Sequence, residues 1–251
     1  MKKWIYLIIL VFIHMNNTSL FAINLSFTTQ NLEPFSYLSD TGPAGPSVDI
    51  ARTICDEMNA NCIIDLYPWR RAYYEVKRSR ANGIFFIGKN TERESWLVFS
   101  PPIVQTEYGF FVDKNNPLVY TNPNDIEGYI VGVFGPSNTS ASLHEIQIDM
   151  TNFYIDMEDN DEAGFRKLSV QRVNAVYSNR DVGYSLINKL SLSNIRYAGA
   201  HCKLFYYFAF NSNYTPNKWI QQFNDSYKKL YHSGIIHQIL KKYHMKPAPL
   251  N

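Results

Sequence analysis

Tyr67-Pro68-Trp69-Arg70-Arg71-Ala72, followed after a polar helix body by Ala81-Asn82-Gly83-Ile84-Phe85-Phe86-Ile87, is the stretch that decides the fold. Pro68 suits the first position of a helix, where its missing N–H would have had no partner in any case. Gly83 then precedes Ile84–Ile87, an apolar run of strand length that reads as buried on both faces. Just upstream, Cys62 to Tyr67 is a short β run, and before it Val48, Ala51, Ile54, Cys55 and Met58 recur at helical spacing. Leu25 to Thr29 is a further strand, separated from that helix by the turn signals Glu33-Pro34-Phe35 and Gly42-Pro43-Ala44-Gly45-Pro46. Strand and helix alternate, which predicts a parallel sheet covered on both faces by helices.

The alternation resumes downstream. Ile130 to Phe134 is strand-like, and Gly135 to Ser140 is a turn leading into a helix through about Ile148. Phe153 to Ile155, Ala175 to Tyr177 and Ile195 to Ala198 read as strands, with helices at Asp161 to Leu168 and Asp181 to Leu190 between them. Phe205 to Phe210 is a last strand, followed by amphipathic helices around Trp219 to Tyr231 and Ile235 to Tyr243. Polar loops at Asp113–Pro117 and Asn211–Asn213 flank the middle module. The expectation is an α/β protein of two domains, one inserted in the other and joined by a two-strand hinge. Residues 23–112 with 206–251 form domain 1, and residues 113–205 form domain 2. Ligands of open α/β sheets sit beyond the carboxyl ends of the strands, so two such domains face to face predict a cleft.

The N-terminus predicts the compartment. Lys2 and Lys3 precede an unbroken apolar run from Trp4 to Ile13, followed by Asn16, Asn17, Ser19 and Ala22. This is the layout of a secretory signal peptide over residues 1–22, with cleavage near Ala22, although Leu20 is larger than the small residue usual at its position. The run is too short to span a bilayer; a buried core helix is the alternative. Its removal leaves 22 basic and 22 acidic side chains, a balance with no overall field to attract nucleic acid or an anionic membrane. Hydrophobic content of 45% with 18 Tyr and 16 Phe is ample for folded cores. In an oxidising compartment Cys55 and Cys62 read as a disulfide, a metal site being the alternative at a spacing that does not suit zinc. Cys202 is then unpaired and expected to be buried. The six His show no metal-ligand spacing, and neither a Ser elbow nor a Gly-rich phosphate loop occurs. No cofactor or metal is expected.

Several segments together carry a family resemblance. They are Gly45 to Asp49, the Tyr67–Ala72 and Ala81–Phe86 stretches, Asn90-Thr91-Glu92-Arg93-Glu94, Phe99 to Pro102, Val131-Gly132-Val133 and Asn174 to Arg180, with Leu230 to Tyr243 at the end. In order and spacing the chain resembles the periplasmic solute-binding proteins of the amino-acid ABC transporter class, extracellular family 3, over nearly all of residues 24–243. The Cys55–Cys62 spacing is similar to that of the basic amino-acid binders, which carry a bridge there. The resemblance implies the type II periplasmic-binding fold and a periplasmic monomer. It implies capture of an amino acid or related small carboxylate for delivery to a membrane permease, without chemistry.

It also implies a site. Arg93 matches the family's Arg that forks onto the ligand's α-carboxylate, a role suited to a guanidinium's parallel N–H donors; pairing with Glu92 or Glu94 is the alternative. Trp69, Phe35 and Tyr37 correspond to apolar or aromatic walls, each of which could instead be core. Ser137, Asn138 and Thr139 stand at a helix mouth, where N–H groups favour an anion, or where they simply cap the helix. Asn179 occupies the position at which the family usually carries an Asp for the ligand's ammonium, and Asp181 points about 200° away from it on the helix. Phe85, Phe86 and Gly88 stand where Ser or Thr are frequent, so the cleft is expected to be more aromatic than that of a standard amino-acid binder. Some relatives of this fold are dehydratases of small cyclic carboxylic acids; Glu33 and Glu107 are the acids such a reaction would draw on. A ligand-sensing protein read by a receptor is a third possibility.

Overall fold

The computed structural model of the protein describes residues 23–148, 150 and 152–250; the expected signal peptide lies outside them. Strand β1 (Ile23–Thr29) lies between β4 (Ala60–Leu66) and β5 (Gly83–Ile87), parallel to both. A two-stranded hairpin, β2 (Tyr37–Ser39) with β3 (Gly42–Ala44), leads into helix α1 (Pro46–Glu57). The turn before α1 requires glycine: Gly45 has φ 107°, and a Cβ there would meet the Phe35 carbonyl oxygen at 2.6 Å. Helix α2 (Trp69–Lys77) links β4 to β5, with Pro68 one position before its first residue and making no capping bond. The short helix α3 (Thr91–Glu94) follows β5, its Asn90 side chain accepting the Arg93 N–H at 2.8 Å.

The chain then crosses to a second lobe. Strand β6 (Leu97–Phe99) pairs with the far end of β11 (Ile195–Asn211), and β7 (Val104–Asp113) pairs with the near end of that same strand. In the second lobe β8 (Ile130–Phe134), β9 (Tyr154–Glu158) and β10 (Ala175–Asn179) run parallel to one another. Helices α4 (Asn138–Gln147), α5 (Asp161–Ser169) and α6 (Arg180–Lys189) cover them. A 3₁₀ turn (Pro123–Ile126) precedes β8, and α7 (Asn217–His232) with α8 (Ile235–Lys242) returns to the first lobe. The strand order is β4-β1-β5-β11-β7-β10-β8-β9, with β6 beside β11.

Three differences from the sequence reading have clear physical reasons. The strands β4-β1-β5 and β10-β8-β9 are parallel, but the sheet of each lobe is mixed, because β7 and β11 run antiparallel to their neighbours. Ile195–Ala198 and Phe205–Phe210 are not separate strands; they are the ends of one 17-residue strand. Its middle, Gly199 to Leu204, has little β signal, and irregular register between Tyr197 and Gly199 and between Ala200 and Cys202 absorbs the mismatch. β11 changes partner between Tyr206 and Tyr207, while Ser100 and Ile103 N–H groups bond back to the Phe208 and Tyr206 carbonyls at 2.8 Å each. The junction is therefore two antiparallel chain segments. The polar loop Asp113–Pro117 follows β7, a strand already paired into the second lobe, so the first crossing lies upstream of it.

Each lobe has helices on both sheet faces. In the first, Phe27, Phe85, Phe208, Phe210 and Phe223 pack ring to ring under α1, α7 and α8, while Ala72, Val76, Ile84 and Ala209 close the face under α2. In the second, Phe111 and Phe165 fill one face, and Phe110, Tyr177 and Leu143 the other. The Cys55–Cys62 disulfide ties α1 to β4. Cys202 is free and half-buried rather than buried, its Sγ 3.9 Å from both the Ser142 and Tyr177 hydroxyls.

Candidate ligand-binding site

The strand ends of both lobes open onto one cleft. A narrow inner cavity of about 40 Å³ joins an outer chamber of about 710 Å³, and Gln30, Leu32, Trp69, Phe134, Asp161 and Val182 line both. Polar contacts bridge the lobes beside it, one of them from Asn138 Nδ2 to the Lys89 carbonyl at 3.4 Å. Asn90 Nδ2 donates to Asn138 Oδ1 at 2.7 Å, and Lys189 Nζ meets Glu33 Oε1 at 3.0 Å.

Arg93 lines the inner cavity and is only 6% exposed. One guanidinium N–H donates to the Gly88 carbonyl at 2.7 Å, and its Cζ lies 5.0 Å from the Trp69 ring and 5.6 Å from the Tyr73 ring. Cation–π contact offsets part of the cost of burial. The acids beside it in sequence are engaged elsewhere: Glu92 accepts from the Tyr73 hydroxyl at 2.5 Å and pairs with Lys77 at 3.2 Å, and Glu94 pairs with Lys89 at 3.7 Å. Burial, with the bond to Glu92 second, raises the Tyr73 pKa to about 12, so its hydroxyl stays neutral. Among the described residues Arg93 itself has no ion pair. Burial pushes its pKa down, yet a guanidinium stays protonated in proteins. Apart from the bond to Gly88 and the nearby Tyr73 hydroxyl, its N–H donors have no protein partner among the described residues, and they lie beside a cavity.

The second lobe's polar groups behave differently. Asn179, 4% exposed, caps α6: its Oδ1 accepts the Asp181 and Val182 N–H groups at 2.9 and 3.2 Å. Its Nδ2 donates to the Thr106 and Tyr206 hydroxyls at 3.2 and 3.3 Å. Ser137 caps α4, accepting from Thr139 and Ser140 N–H and donating to the Phe134 carbonyl at 2.7 Å. Asn138 and Thr139 line the inner cavity, Asn138 being held by Asn90. Asp181 turns to the crossing strand, accepting from Thr106 Oγ1 at 2.6 Å.

The remaining expected residues divide. Trp69 and Gly88 line the inner cavity; a Cβ on Gly88 would stand 2.9 Å from Asn138 Nδ2. Phe35, 0% exposed, is core beneath it, its ring against Phe86 and Tyr206. Tyr37 lies beside Tyr243, whose hydroxyl donates to Asp49, and lines neither cavity. Phe86 does line the inner cavity, with φ 55°, a conformation a bulky residue adopts only under constraint. Glu33 is held by Lys189, and Glu107 by Arg180 at 3.1 Å and the Tyr197 hydroxyl at 3.1 Å.

Sequence reasoning did not select Asp161, Tyr108 or Tyr206 for the site. Asp161 opens α5 after Asn160, whose side chain caps the helix. It lines both cavities, and its Oδ1 accepts from Ser178 Oγ at 2.6 Å. It keeps some exposure, yet desolvation pushes its pKa upward. Its place beyond the carboxyl end of a parallel strand was the available signal.

Two α/β lobes joined by a pair of crossing segments, with a ligand-sized cleft between them, define a class of two-lobed binding proteins. The sequence matches the family model "Bacterial extracellular solute-binding proteins, family 3" over residues 26–246, and the chain belongs to that family. No curated protein matches it by sequence. Among solved structures it is similar to a histidine kinase sensor domain with similarity to periplasmic binding proteins, at TM-score 0.80 and 17% identity, covering 90% of this chain and 98% of that one. An ancestral arginine-binding protein bound to arginine is similar at TM-score 0.77 and 18% identity, covering 87% and 97%. A substrate-binding protein of an ABC uptake transporter from Streptococcus pneumoniae with bound histidine is similar at TM-score 0.76 and 14% identity, covering 87% and 91%.

Proposed function

We propose that the protein, secreted and monomeric, captures a small solute bearing a carboxylate, an amino acid or close relative, and presents it to the permease of an ABC transporter. The observation that carries this reading is the buried Arg93 guanidinium, with free donors and no counter-charge, at the inner end of the cleft. An unpaired buried charge costs several kcal/mol, about the scale that an incoming carboxylate with bidentate hydrogen bonds can offset. The arginine- and histidine-bound neighbours support the amino-acid class. Binding without chemistry fits Glu33 and Glu107, both engaged in ion pairs rather than poised as free acids.

A second reading, ligand sensing through a receptor, draws on the likeness to the kinase sensor domain. A thermal-shift screen of amino acids and small carboxylates tests the main reading. A ligand at 100 times its Kd adds about 2.7 kcal/mol of stability, and the shift should vanish in Arg93→Met. Binding unchanged in that variant would remove Arg93 from the site. Stimulation of the permease ATPase by the liganded protein would favour uptake over sensing.

A further inference from the structure

Arg93 has an opposite number across the cleft. Asp161, from the second lobe, faces the same inner cavity, and among the described residues it too has no ion pair. Ser178 Oγ holds Oδ1 at 2.6 Å and so orients the carboxyl, while Oδ2 has no hydrogen-bond donor among the described residues. The two charges do not meet within salt-bridge distance, though both line the one small cavity. Each is the natural partner of an opposite charge on something placed between them.

We propose that Asp161 holds the cationic group of the ligand, so that the solute is a carboxylate that also carries an ammonium or guanidinium and spans from Arg93 to Asp161 across the two lobes. The inference rests on the solute-binding reading above and adds the ligand's charge pattern. Asn179 cannot take this role, because Oδ1 caps α6 and both Nδ2 protons go to hydroxyls. The environment agrees. Asp161 stands where the inner cavity opens into the larger chamber, which is lined by Glu33, Asp159, Glu162 and Lys189; Lys189 pairs Glu33 and Arg166 pairs Glu162, leaving Asp159 and Asp161 without an ion pair among the described residues. A cation entering there meets net negative charge, and an anion is drawn on to Arg93. Placing one ligand charge on each lobe also makes affinity depend on closure, since neither lobe alone neutralises both ends.

The test is calorimetry on the mature protein with two matched probe sets. One set holds carboxylates with a cationic group: L-arginine, L-histidine, L-ornithine and 5-aminopentanoate. The other holds carboxylates without one: pentanoate, glutarate and pyroglutamate. Members of the first set should bind wild type, and Asp161→Asn, which keeps an oxygen for Ser178, should weaken them roughly ten- to a hundredfold. Melting of the unliganded variant checks its fold, and Asp161→Ala serves if the amide is not tolerated. Unchanged affinity of the cationic probes in a folded Asp161 variant overturns the inference. So does tight, Arg93-dependent binding of a probe from the second set, a result that leaves the solute-binding reading standing. If no probe of either set binds wild type, the solute-binding reading falls and this inference with it.

Discussion

The two walls of the cleft are built from similar polar residues that do opposite things. On the first lobe Arg93 is buried with its nearest acids engaged elsewhere, so its charge has no ion-pair partner among the described residues. On the second lobe Asn179 and the Ser137 hydroxyl are turned inward to cap helices α6 and α4, so they set the wall's shape and have little left to offer a ligand. The difference arises from local geometry. A residue at the junction of strand and helix faces orphan N–H groups that must be satisfied, and a short polar side chain there is captured by them. The long Arg93 side chain, carried on a four-residue helix, reaches past its own backbone into the cavity.

The strongest way to break this contrast is Arg93→Met. It should cost about 2–5 kcal/mol in carboxylate binding by calorimetry. The unliganded protein should melt no lower than wild type, since an apolar side chain of similar volume replaces a buried, uncompensated charge. A lower melting temperature would mean the guanidinium is structural, like the groups opposite. Replacing both Cys55 and Cys62 by Ser is the reverse control, far from either wall. Stability in urea should fall by about 2–3 kcal/mol with affinity unchanged.

Asn179→Asp sharpens the contrast from the other side. The family pattern alone predicts a gain for amino acids. The structure predicts none, because the new carboxylate oxygen still caps α6 while the Nδ2 donors to Thr106 and Tyr206 are lost; stability should drop by about 1–2 kcal/mol. A clear gain in amino-acid affinity would show that Asn179 is ligand-facing after all. The smallest effect is expected for Gly88→Ala, whose Cβ at 2.9 Å must push aside the Asn138 amide and with it the bridge to Asn90. A loss of roughly threefold to tenfold in affinity corresponds to one such hydrogen bond.

Much of the fold was readable in advance. Periodicity located most of the longer helices; Pro68 and Gly234 stand just before helix starts, and Gly83 opens β5. The long strand β11 was not readable, because Gly199 to Leu204 is held extended by pairing with β7, a partner some 90 residues away in the chain. Of the residues singled out for the site, Arg93, Trp69, Gly88, Ser137, Asn138, Thr139 and Asn179 line the inner cavity, and Phe35 and Tyr37 do not. Aromatic residues in loops fit a core or a cleft equally well by type, and only their neighbours decide.

The family resemblance singled out Arg93; from the chain alone came the alternation that makes two α/β lobes and the Cys55–Cys62 bridge. These follow from local chemistry: propensity, turn residues and spacing act over a few residues and need no knowledge of what lies opposite. Which polar groups remain unpartnered was settled only in three dimensions. Whether Glu92 takes Lys77 or Arg93, whether Asn179 faces helix or cavity, and whether Asp161 meets a cation depend on distances between elements far apart in sequence. Charge interactions fall off over a few ångströms in a mixed dielectric, so their outcome belongs to packing rather than to order along the chain.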